Sequence, residues 1–322
     1  MTNTSTSNTS PQLVLGAMMF GTTIDEPTSF AILDRFVDEG GQWIDTANCY
    51  AFWASDSGYG GDSERLLARW FAARPSVRER VKLATKVGAE PLDKDNWPAS
   101  REGLSAPVVA SAFEGSLQRL GVDHVDLLWA HMEDRSVPIE ETAEAMGALV
   151  ASGQVSRIGT SNHPAWRVER ARAHAIAKGI EPVSALQHNR SYLAPKPGVV
   201  PGSQNHRFAH LDDELVDYAA TEGLDLWAYT PLLSGAYDNP AKPLPGSHEH
   251  SGTVERFAVL DAVAAELDAT RGQVVLAWLV ANGVTPILGG SKVDQLDAAL
   301  AGVRLELAPE QFERLGALPP VR

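Results

Sequence analysis

The sequence is short of cysteine and of positive charge, and each shortage argues against a class of protein. Cys49 is the only cysteine among 322 residues, so no disulfide can form within the chain. We therefore expect a reducing, cytoplasmic environment. The chain has 27 lysines and arginines against 41 aspartates and glutamates, a formal net charge of -14. Such a surface repels nucleic-acid phosphates and anionic lipids, so neither is an expected partner.

Long apolar runs are also missing, since none approaches the roughly 18 residues of a membrane-spanning helix. After the initial methionine, residues 2–10 consist entirely of Thr, Asn and Ser, without a basic or an apolar region. We expect a disordered polar tail there and no signal peptide. Residues 11–322 are predicted to form a single domain, because one large α/β unit commonly reaches this length.

What the sequence does contain is a regular alternation of short apolar segments and helical patterns. Strands are predicted at 13–19, 42–46, 81–86, 125–130, 157–161, 183–187, 224–229 and 285–288. Helices are predicted at 28–39, 63–73, 106–120, 139–152, 164–178, 212–222, 254–282 with a break near Arg271, and 293–301. Glycine follows several of these helices, as expected where a helix ends before the next strand.

Eight such alternations with right-handed crossovers predict an α/β fold, a closed (β/α)8 TIM barrel. A doubly wound sheet is the alternative. It would need a glycine-rich dinucleotide fingerprint after the first strand, and the segment 16–21 lacks that spacing. The long segments 50–62, 87–105, 188–210 and 229–252 all follow strand ends, so they should crowd the C-terminal face, where barrel active sites lie.

Polar residues stand at or just beyond the ends of five successive apolar strands: Asp45, Lys86, His131, Asn162 and Gln187. Each residue type has an ordinary structural role when it occurs alone, such as a capping Asp, a surface Lys or a core His. In a barrel, however, the five strand ends converge on one mouth. The sequence therefore predicts a functional site there. No metal is predicted, because the histidines show no HExxH or comparable ligand spacing.

These residues carry a specific resemblance. The segment Asp45-Thr46-Ala47-Asn48-Cys49-Tyr50, followed by Lys86 and His131, resembles the catalytic tetrad of the aldo-keto reductase superfamily. The likeness continues in the family's order through 152–162, Gln187, 228–232 and 289–296. The resemblance implies reduction of an aldehyde or ketone to the alcohol by hydride transfer, with alcohol oxidation as the reverse reaction. The expected partner is a small-molecule carbonyl substrate.

The chemistry of that reaction gives each member of the tetrad a role. Tyr50 is the natural proton donor, but an unperturbed phenol has a pKa near 10 and is a poor acid. A nearby cation lowers such a pKa, and Lys86 can supply it while Asp45 holds Lys86 in place. His131 would donate a hydrogen bond to the carbonyl oxygen, orienting it and stabilising developing negative charge.

The resemblance implies NADPH as the cofactor, with NADH less favoured. Of the cofactor-binding set, Ser161, Asn162 and Gln187 would hold the nicotinamide carboxamide, and Tyr229 would stack on the ring unless it is only barrel packing. The full implied set is Gly16, Met18, Asp45, Ser161, Asn162, Gln187, Tyr229, Thr230, Pro231, Leu232, Ser234, Gly235, Gly289, Gly290, Ser291, Lys292 and Gln295.

Within that set, the backbone of 232–235 would contact the pyrophosphate. Ser291 and Lys292 would meet the adenosine 2′-phosphate at the start of the last predicted helix, where free N–H groups attract anions. Gln295 stands where many family members carry an arginine. The preference for NADPH therefore rests on Ser291 and Lys292.

Candidate substrate-pocket residues are apolar or aromatic, and each could instead be barrel or loop packing: Met19, Phe52, Trp53, Trp129, Met132 and Tyr192. Their aromatic content favours a bulky or apolar carbonyl. The polar stretch 56–62 and the histidines at 206, 210, 248 and 250 could instead serve a polar substrate such as a sugar or glycoside. Two other functions stay open. One is a cofactor-binding regulatory subunit of a membrane protein with little turnover. The other is a metal-dependent barrel hydrolase that uses Asp45 and His131. The sequence leaves the oligomeric state open.

Overall fold

The computed structural model describes residues 13–196, 198–199 and 209–316. Within them, eight parallel strands pair in sequence order and the last pairs with the first, which closes the sheet into a barrel. The predicted (β/α)8 TIM barrel is therefore confirmed. The strands are β1 Val14–Gly16, β2 Trp43–Asp45, β3 Lys82–Val87, β4 Val125–Ala130, β5 Val155–Ser161, β6 Ala185–Asn189, β7 Asp225–Tyr229 and β8 Val284–Leu288.

Helices connect the strands and cover the outside of the barrel. They are α1 Glu26–Asp38, α2 Asp62–Ala73, α3 Ala106–Leu120, α4 Ile139–Ala151, α5 Ala165–Lys178, α6 Asp213–Glu222, α7 Ser251–Glu266, α8 Arg271–Ala281, α9 Val293–Val303 and α10 Pro309–Gly316. The ends of α3 and α5 follow the predicted glycine rule, because Gly121 and Gly179 both take the left-handed backbone with φ of 66°.

One predicted break is confirmed, and the bounds of several elements differ from the sequence prediction. The helical stretch 254–282 is broken near Arg271 as predicted, where Thr270 and Gln273 form a capping box that starts α8. Strand β6 begins two residues later than predicted and includes His188 and Asn189. Helix α10 was not predicted, and its buried Leu315 anchors it in the core.

Tryptophans fill the inside of the barrel. Trp227 packs edge-on against Trp43 and Trp129, with ring centroids 5.1 and 5.2 Å apart. A side chain at Gly159 would place its Cβ 2.4 Å from the Trp129 ring, so only glycine fits beside that ring. The Trp129 indole N–H donates to Asp45 Oδ1 at 3.1 Å, so the tryptophan layer supports the carboxyl ends of the strands directly. The barrel is thus a packed core, and chemistry is confined to its mouth.

The predicted tail, 1–10, lies outside the described residues, as does most of the second half of segment 188–210. Where the helices are described, none combines the length and the apolar character that crossing a membrane requires. The assignment of 11–322 to one domain stays a prediction.

Candidate active site

The tetrad predicted from the sequence is assembled at the C-terminal mouth of the barrel. Asp45 ends β2, Lys86 lies on β3, and His131 directly follows β4. The Lys86 ammonium donates to Asp45 Oδ2 and, at 2.8 Å, to the carbonyl oxygen of Thr46. Its nitrogen lies 4.6 Å from the centroid of the Tyr50 ring, and the His131 ring stands edge-on to Tyr50 at 5.6 Å. The structure therefore brings all four side chains together.

The Asp45–Lys86 pair is fully enclosed, since neither side chain is more than 2% exposed. Asp45 receives two further hydrogen bonds at Oδ1, from Trp129 Nε1 and, at 3.3 Å, from Gln187 Nε2. Burial raises the pKa of Asp45 and lowers that of Lys86, and the contact between them opposes both shifts. Three side-chain donors on one carboxylate fix the position of Lys86 beneath the Tyr50 ring.

The pKa of Tyr50 moves in the direction opposite to the one predicted. Burial raises the pKa of the phenol well above its ordinary value, and the nearby Asp45 carboxylate raises it further. The Lys86 ammonium lies 4.6 Å from the centroid of the Tyr50 ring and donates its hydrogen bonds to Asp45 and to the Thr46 oxygen. Tyr50 consequently keeps its proton at neutral pH, as a proton donor must.

His131 is held as a neutral imidazole. Burial, followed by the charge of Lys86, lowers the pKa of His131 well below its ordinary value. Asn162 Nδ2 donates to the backbone oxygen of His131 at 3.0 Å, and Cys49 Sγ lies 3.4 Å from Nδ1 of the ring. A neutral ring carries a single N–H, so its tautomer decides which nitrogen can donate to a substrate.

A row of hydrogen-bonding side chains continues from the tetrad along β5, β6 and β7. Tyr229 donates its hydroxyl proton to Asn162 Oδ1 at 2.7 Å, and Asn162 Nδ2 reaches Ser161 Oγ at 3.0 Å. Asn162 has a positive φ of 61°, a rare conformation that turns its amide toward its neighbours. With Gln187, which contacts Asp45, these groups offer both donors and acceptors, the set that a carboxamide needs.

The segment after β7 has an unusual backbone. Thr230, Leu233 and Ser234 all have positive φ, at 54°, 47° and 57°. Such strain in non-glycine residues clusters at functional sites and supports the hypothesis of a ligand here. The predicted contacts Pro231, Leu232 and Gly235 belong to the same segment, which is held by Lys242 Nζ donating to the Ser234 oxygen at 2.7 Å and by Ser191 Oγ donating to the Pro231 oxygen.

The start of α9 offers a site for an anion. Lys292 is its exposed N-cap and supplies no capping hydrogen bond. In the first turn, the Gln295 N–H donates to Asp294 Oδ1 at 2.9 Å. Lys292 forms no ion pair within the described ranges. Ser291 donates from both its N–H and its Oγ to Gln295 Oε1, at 2.9 and 3.3 Å. The Lys292 ammonium, the Ser291 hydroxyl and the N-terminus of α9 together suit a phosphate. To bind it, Ser291 would give up its hydrogen bonds to Gln295.

Four further residues of the implied cofactor set are glycine or methionine: Gly16, Met18, Gly289 and Gly290. The backbones of Gly16 and Gly289 approach each other, because a Cβ on Gly289 would lie 3.4 Å from the Gly16 oxygen. Gly290 lies against Gln295. Met18 is 40% exposed in the loop after β1. None of these residues has a polar side chain, so any contact with a cofactor would come from backbone or from apolar surface.

The predicted pocket residues occupy three kinds of place. Phe52 and Met132 are buried near the tetrad, Met19 is partly buried, and Trp53 is 54% exposed beside Phe52. Two others lie in packed surroundings: Trp129 is fully buried in the barrel and Tyr192 packs edge-on against Trp278 at 5.3 Å. Besides this packing, the Trp129 indole donates to Asp45, and the guanidinium of Arg256 lies over the Tyr192 ring at 5.1 Å.

Trp97 is a site residue that the sequence did not single out. Its ring lies 5.5 Å from that of Phe52, and its indole donates to the Ala89 oxygen at 3.0 Å. It packs onto an apolar cluster that also contains Tyr50 and Met132. The available signal was an aromatic residue in the long segment 87–105. A flat, aromatic wall therefore stands beside Tyr50.

Among the described residues, no group of three or more His, Cys, Asp or Glu side chains could hold a metal ion.

Comparison with known proteins agrees with the site geometry. The model of the Aldo/keto reductase family matches residues 12–319. An uncharacterized oxidoreductase, YrpG, of Bacillus subtilis is 34% identical over 321 residues, covering 96% of this chain and 92% of that protein. Norsolorinic acid reductase A of Aspergillus parasiticus is 28% identical, with 96% and 77% covered. An aryl-alcohol dehydrogenase [NADP(+)] of Phanerodontia chrysosporium is also 28% identical, with 95% and 82% covered.

Proposed function

Because the chain belongs to the aldo/keto reductase family, and is therefore an oxidoreductase that uses a nicotinamide cofactor, we propose that it reduces an aryl aldehyde or ketone with NADPH. The reverse oxidation of the alcohol uses the same groups. The observation that carries the proposal is the assembly of Tyr50 and His131 over the buried Lys86–Asp45 pair.

Hydride for the carbonyl carbon would come from the bound cofactor, and the residues of the chain handle the oxygen. His131 donates a hydrogen bond to the carbonyl oxygen and withdraws electron density from the carbon. As negative charge develops on that oxygen, Tyr50 transfers its hydroxyl proton to it. The tyrosinate that remains is stabilised by the Lys86 ammonium, and Asp45 keeps this ammonium in place.

The raised pKa of Tyr50 is compatible with this role. An alkoxide is a far stronger base than a phenolate, so proton transfer from Tyr50 is downhill once hydride has reached the carbon. Before that, a phenol that holds its proton at neutral pH is ready to react. The buried Lys86 charge acts mainly on the product of the transfer, which lowers the barrier without ionising Tyr50 prematurely.

The preference for NADPH is supported by the start of α9. Only the phosphorylated cofactor has a dianion at the adenosine ribose, and Lys292 has no competing acidic partner among the described residues. One relative is named as an NADP(+) enzyme, which agrees with this choice. Because position 295 is glutamine and not arginine, Lys292 provides most of the discrimination between NADPH and NADH.

An aryl substrate is supported by two observations of different kinds. Phe52, Trp97 and Met132 line an apolar wall beside Tyr50 and His131, suited to a flat ring that packs face or edge against indole. The names of two relatives, an aryl-alcohol dehydrogenase and a norsolorinic acid reductase, also support reduction of a bulky aromatic compound. A cytoplasmic location completes the proposal, supported by the single, free and buried Cys49.

A panel assay tests this proposal. Benzaldehyde-type, aliphatic and sugar carbonyls are compared by the loss of NADPH absorbance, with NADH as the control cofactor. We expect turnover on the aryl carbonyls and a higher kcat/KM with NADPH. Turnover on sugars alone would overturn the aryl assignment. No turnover on any carbonyl, together with a stable complex with a membrane protein, would favour a regulatory subunit.

A further inference from the structure

We propose that the Cys49 thiol donates a hydrogen bond to Nδ1 of His131 and thereby fixes the tautomer that presents Nε2–H to the substrate. Cys49 is then a positioning residue, because it acts through His131 and does not touch the carbonyl. The inference rests on the proposed function, in which His131 is the donor to the carbonyl oxygen.

The geometry places the two groups in direct contact. Cys49 Sγ lies 3.4 Å from His131 Nδ1, within hydrogen-bonding range for sulfur. Among the described residues, this is the only hydrogen bond of the His131 ring. The opposite nitrogen has no protein partner there, so it is free to meet a ligand. The ring thus has one nitrogen turned to the thiol and one turned away from it.

The backbone holds Cys49 firmly in that position. Gly60 packs so closely against the 48–49 peptide that a Cβ on it would lie 2.1 Å from the Asn48 oxygen and 2.5 Å from Cys49 Cα. Gly60 is itself tied down by donating its N–H to Glu90 at 2.9 Å. Asn48 donates its side-chain amide to Glu102 at 2.7 Å. Cys49 is 3% exposed, so its thiol is shielded from bulk water.

Both partners are neutral, so the thiol keeps its S–H and the ring carries one N–H. Burial raises the pKa of the Cys49 thiol well above its ordinary value, and the charges of Glu90 and Glu102 raise it further. The pKa of His131 is lowered, as described above. Two arrangements are therefore open. Either the thiol donates to Nδ1 and the ring proton is on Nε2, or Nδ1–H donates to sulfur and the S–H points elsewhere.

The first arrangement is the more stable one. A thiol is a weak donor and its sulfur a weak acceptor, whereas the unprotonated nitrogen of a neutral imidazole is a good acceptor. A hydrogen bond from the Cys49 S–H to His131 Nδ1 therefore uses the nitrogen, which is a better acceptor than the sulfur. The surrounding side chains, Ala47, Ala89 and Met132, are apolar and offer Nδ1 no other partner. A low local dielectric also strengthens the bond that does form.

The tautomer has a direct consequence for the reaction. With Nδ1 as the acceptor, the single ring proton is on Nε2, and His131 can donate to a carbonyl oxygen. In the other tautomer, Nε2 would present a lone pair to that oxygen, and the two would repel each other. Cys49 thus selects the form of His131 that is competent for reduction.

Nitrogen-15 NMR of protein labelled at histidine reads the tautomer without any need for turnover. The His131 signals are assigned from their loss in His131→Gln. We expect wild-type His131 to carry its proton on Nε2, Cys49→Ser to keep it there through its hydroxyl donor, and Cys49→Ala to show a mixture of tautomers. A proton on Nδ1 in the wild-type protein would overturn the proposal, whatever the variants do.

Kinetics give the matching functional readout. We expect Cys49→Ala to lower kcat about five- to tenfold, the effect of losing one neutral hydrogen bond, with little change in the KM for NADPH. Cys49→Ser should recover most of that loss. Cys49→Val fills the space without a donor and should behave like Cys49→Ala. If Cys49→Ala and Cys49→Val keep wild-type kcat and tautomer, the thiol has only a packing role.

These outcomes are separable from failure of the proposed function. If the protein reduces no carbonyl, the proposed function fails, while the NMR experiment still decides which nitrogen of His131 carries the proton. If the wild-type protein turns over carbonyls but Nδ1 carries the proton, only the role of Cys49 is wrong.

Discussion

Replacement of Lys86 by methionine tests the buried ion pair most severely. Methionine preserves the length and apolar stem of the side chain and removes only the ammonium. The Asp45 carboxylate then stays buried with hydrogen bonds from Trp129 and Gln187 but without a counter-charge. Breaking a buried pair by removing one partner typically costs about 3–5 kcal/mol of stability. For a chain of 322 residues, each 1 kcal/mol lowers Tm by roughly 1.5 °C, so we expect a drop of about 4–7 °C.

The neighbouring lysine supplies the control. Lys82 lies on the same strand, is exposed, and has its ammonium over the Trp43 ring at 5.5 Å. Lys82→Met removes the same charge from solvent and should cost about 0.5 kcal/mol or less. Thermal unfolding of both variants gives the comparison. A matched Lys86→Met, Asp45→Asn double variant should recover most of the lost stability, since its buried carboxylate is gone.

The pH dependence of the Lys86→Met variant gives a second check with a defined sign. Without the ammonium, the folded-state pKa of Asp45 lies further above its unfolded value of about 3.9. Such a group favours the folded state below the unfolded pKa, and that contribution is lost as the pH rises through the folded pKa. The Tm gap to the wild type should therefore narrow in acid. A gap below about 2 °C at neutral pH, or no recovery in the double variant, would refute the reasoning.

Three further predictions concern the cofactor, the proton donor and the substrate. Lys292→Ala should raise the KM for NADPH about tenfold or more and leave that for NADH nearly unchanged, and equal losses would remove the 2′-phosphate role. Lys178→Ala, on the outer helix α5 where Lys178 pairs with Glu144, is the control for general charge. Because burial raises the pKa of Tyr50, kcat for reduction should stay level through neutral pH and fall only above about pH 10; a fall near neutrality in a pH–rate profile would contradict this. Trp97→Ala should raise the KM for aryl aldehydes about tenfold relative to a short aliphatic aldehyde, as measured by competing-substrate kinetics, and an equal change for both would mean that Trp97 only packs.

The fold and the convergence of Asp45, Lys86 and His131 could be predicted because both depend on local pattern, whereas the place of Tyr50 in the tetrad came from the resemblance to the family. Apolar segments that end in Asp45, Lys86 and just before His131 identify strand ends, and a closed parallel barrel necessarily gathers strand ends at one mouth. Once eight alternations are recognised, the convergence of these side chains follows without knowledge of any long-range contact.

What escaped prediction depends on contacts between distant residues. The place of Trp97 is set by the folding of segment 87–105, where Arg101 donates to the Pro98 and Glu133 oxygens and Asn48 donates to Glu102. The raised pKa of Tyr50 follows from burial, which spacing along the chain does not reveal. The contact between Cys49 and His131 joins residues 82 positions apart.

The proton donor is the central claim, and Tyr50→Phe tests it most directly. The substitution removes one hydroxyl and keeps the ring that contacts Lys86 and His131. We predict loss of carbonyl reduction by several orders of magnitude, with NADPH binding, followed by fluorescence quenching, close to that of the wild type. Near-wild-type turnover in Tyr50→Phe would contradict the assignment of the acid and with it the account of the site.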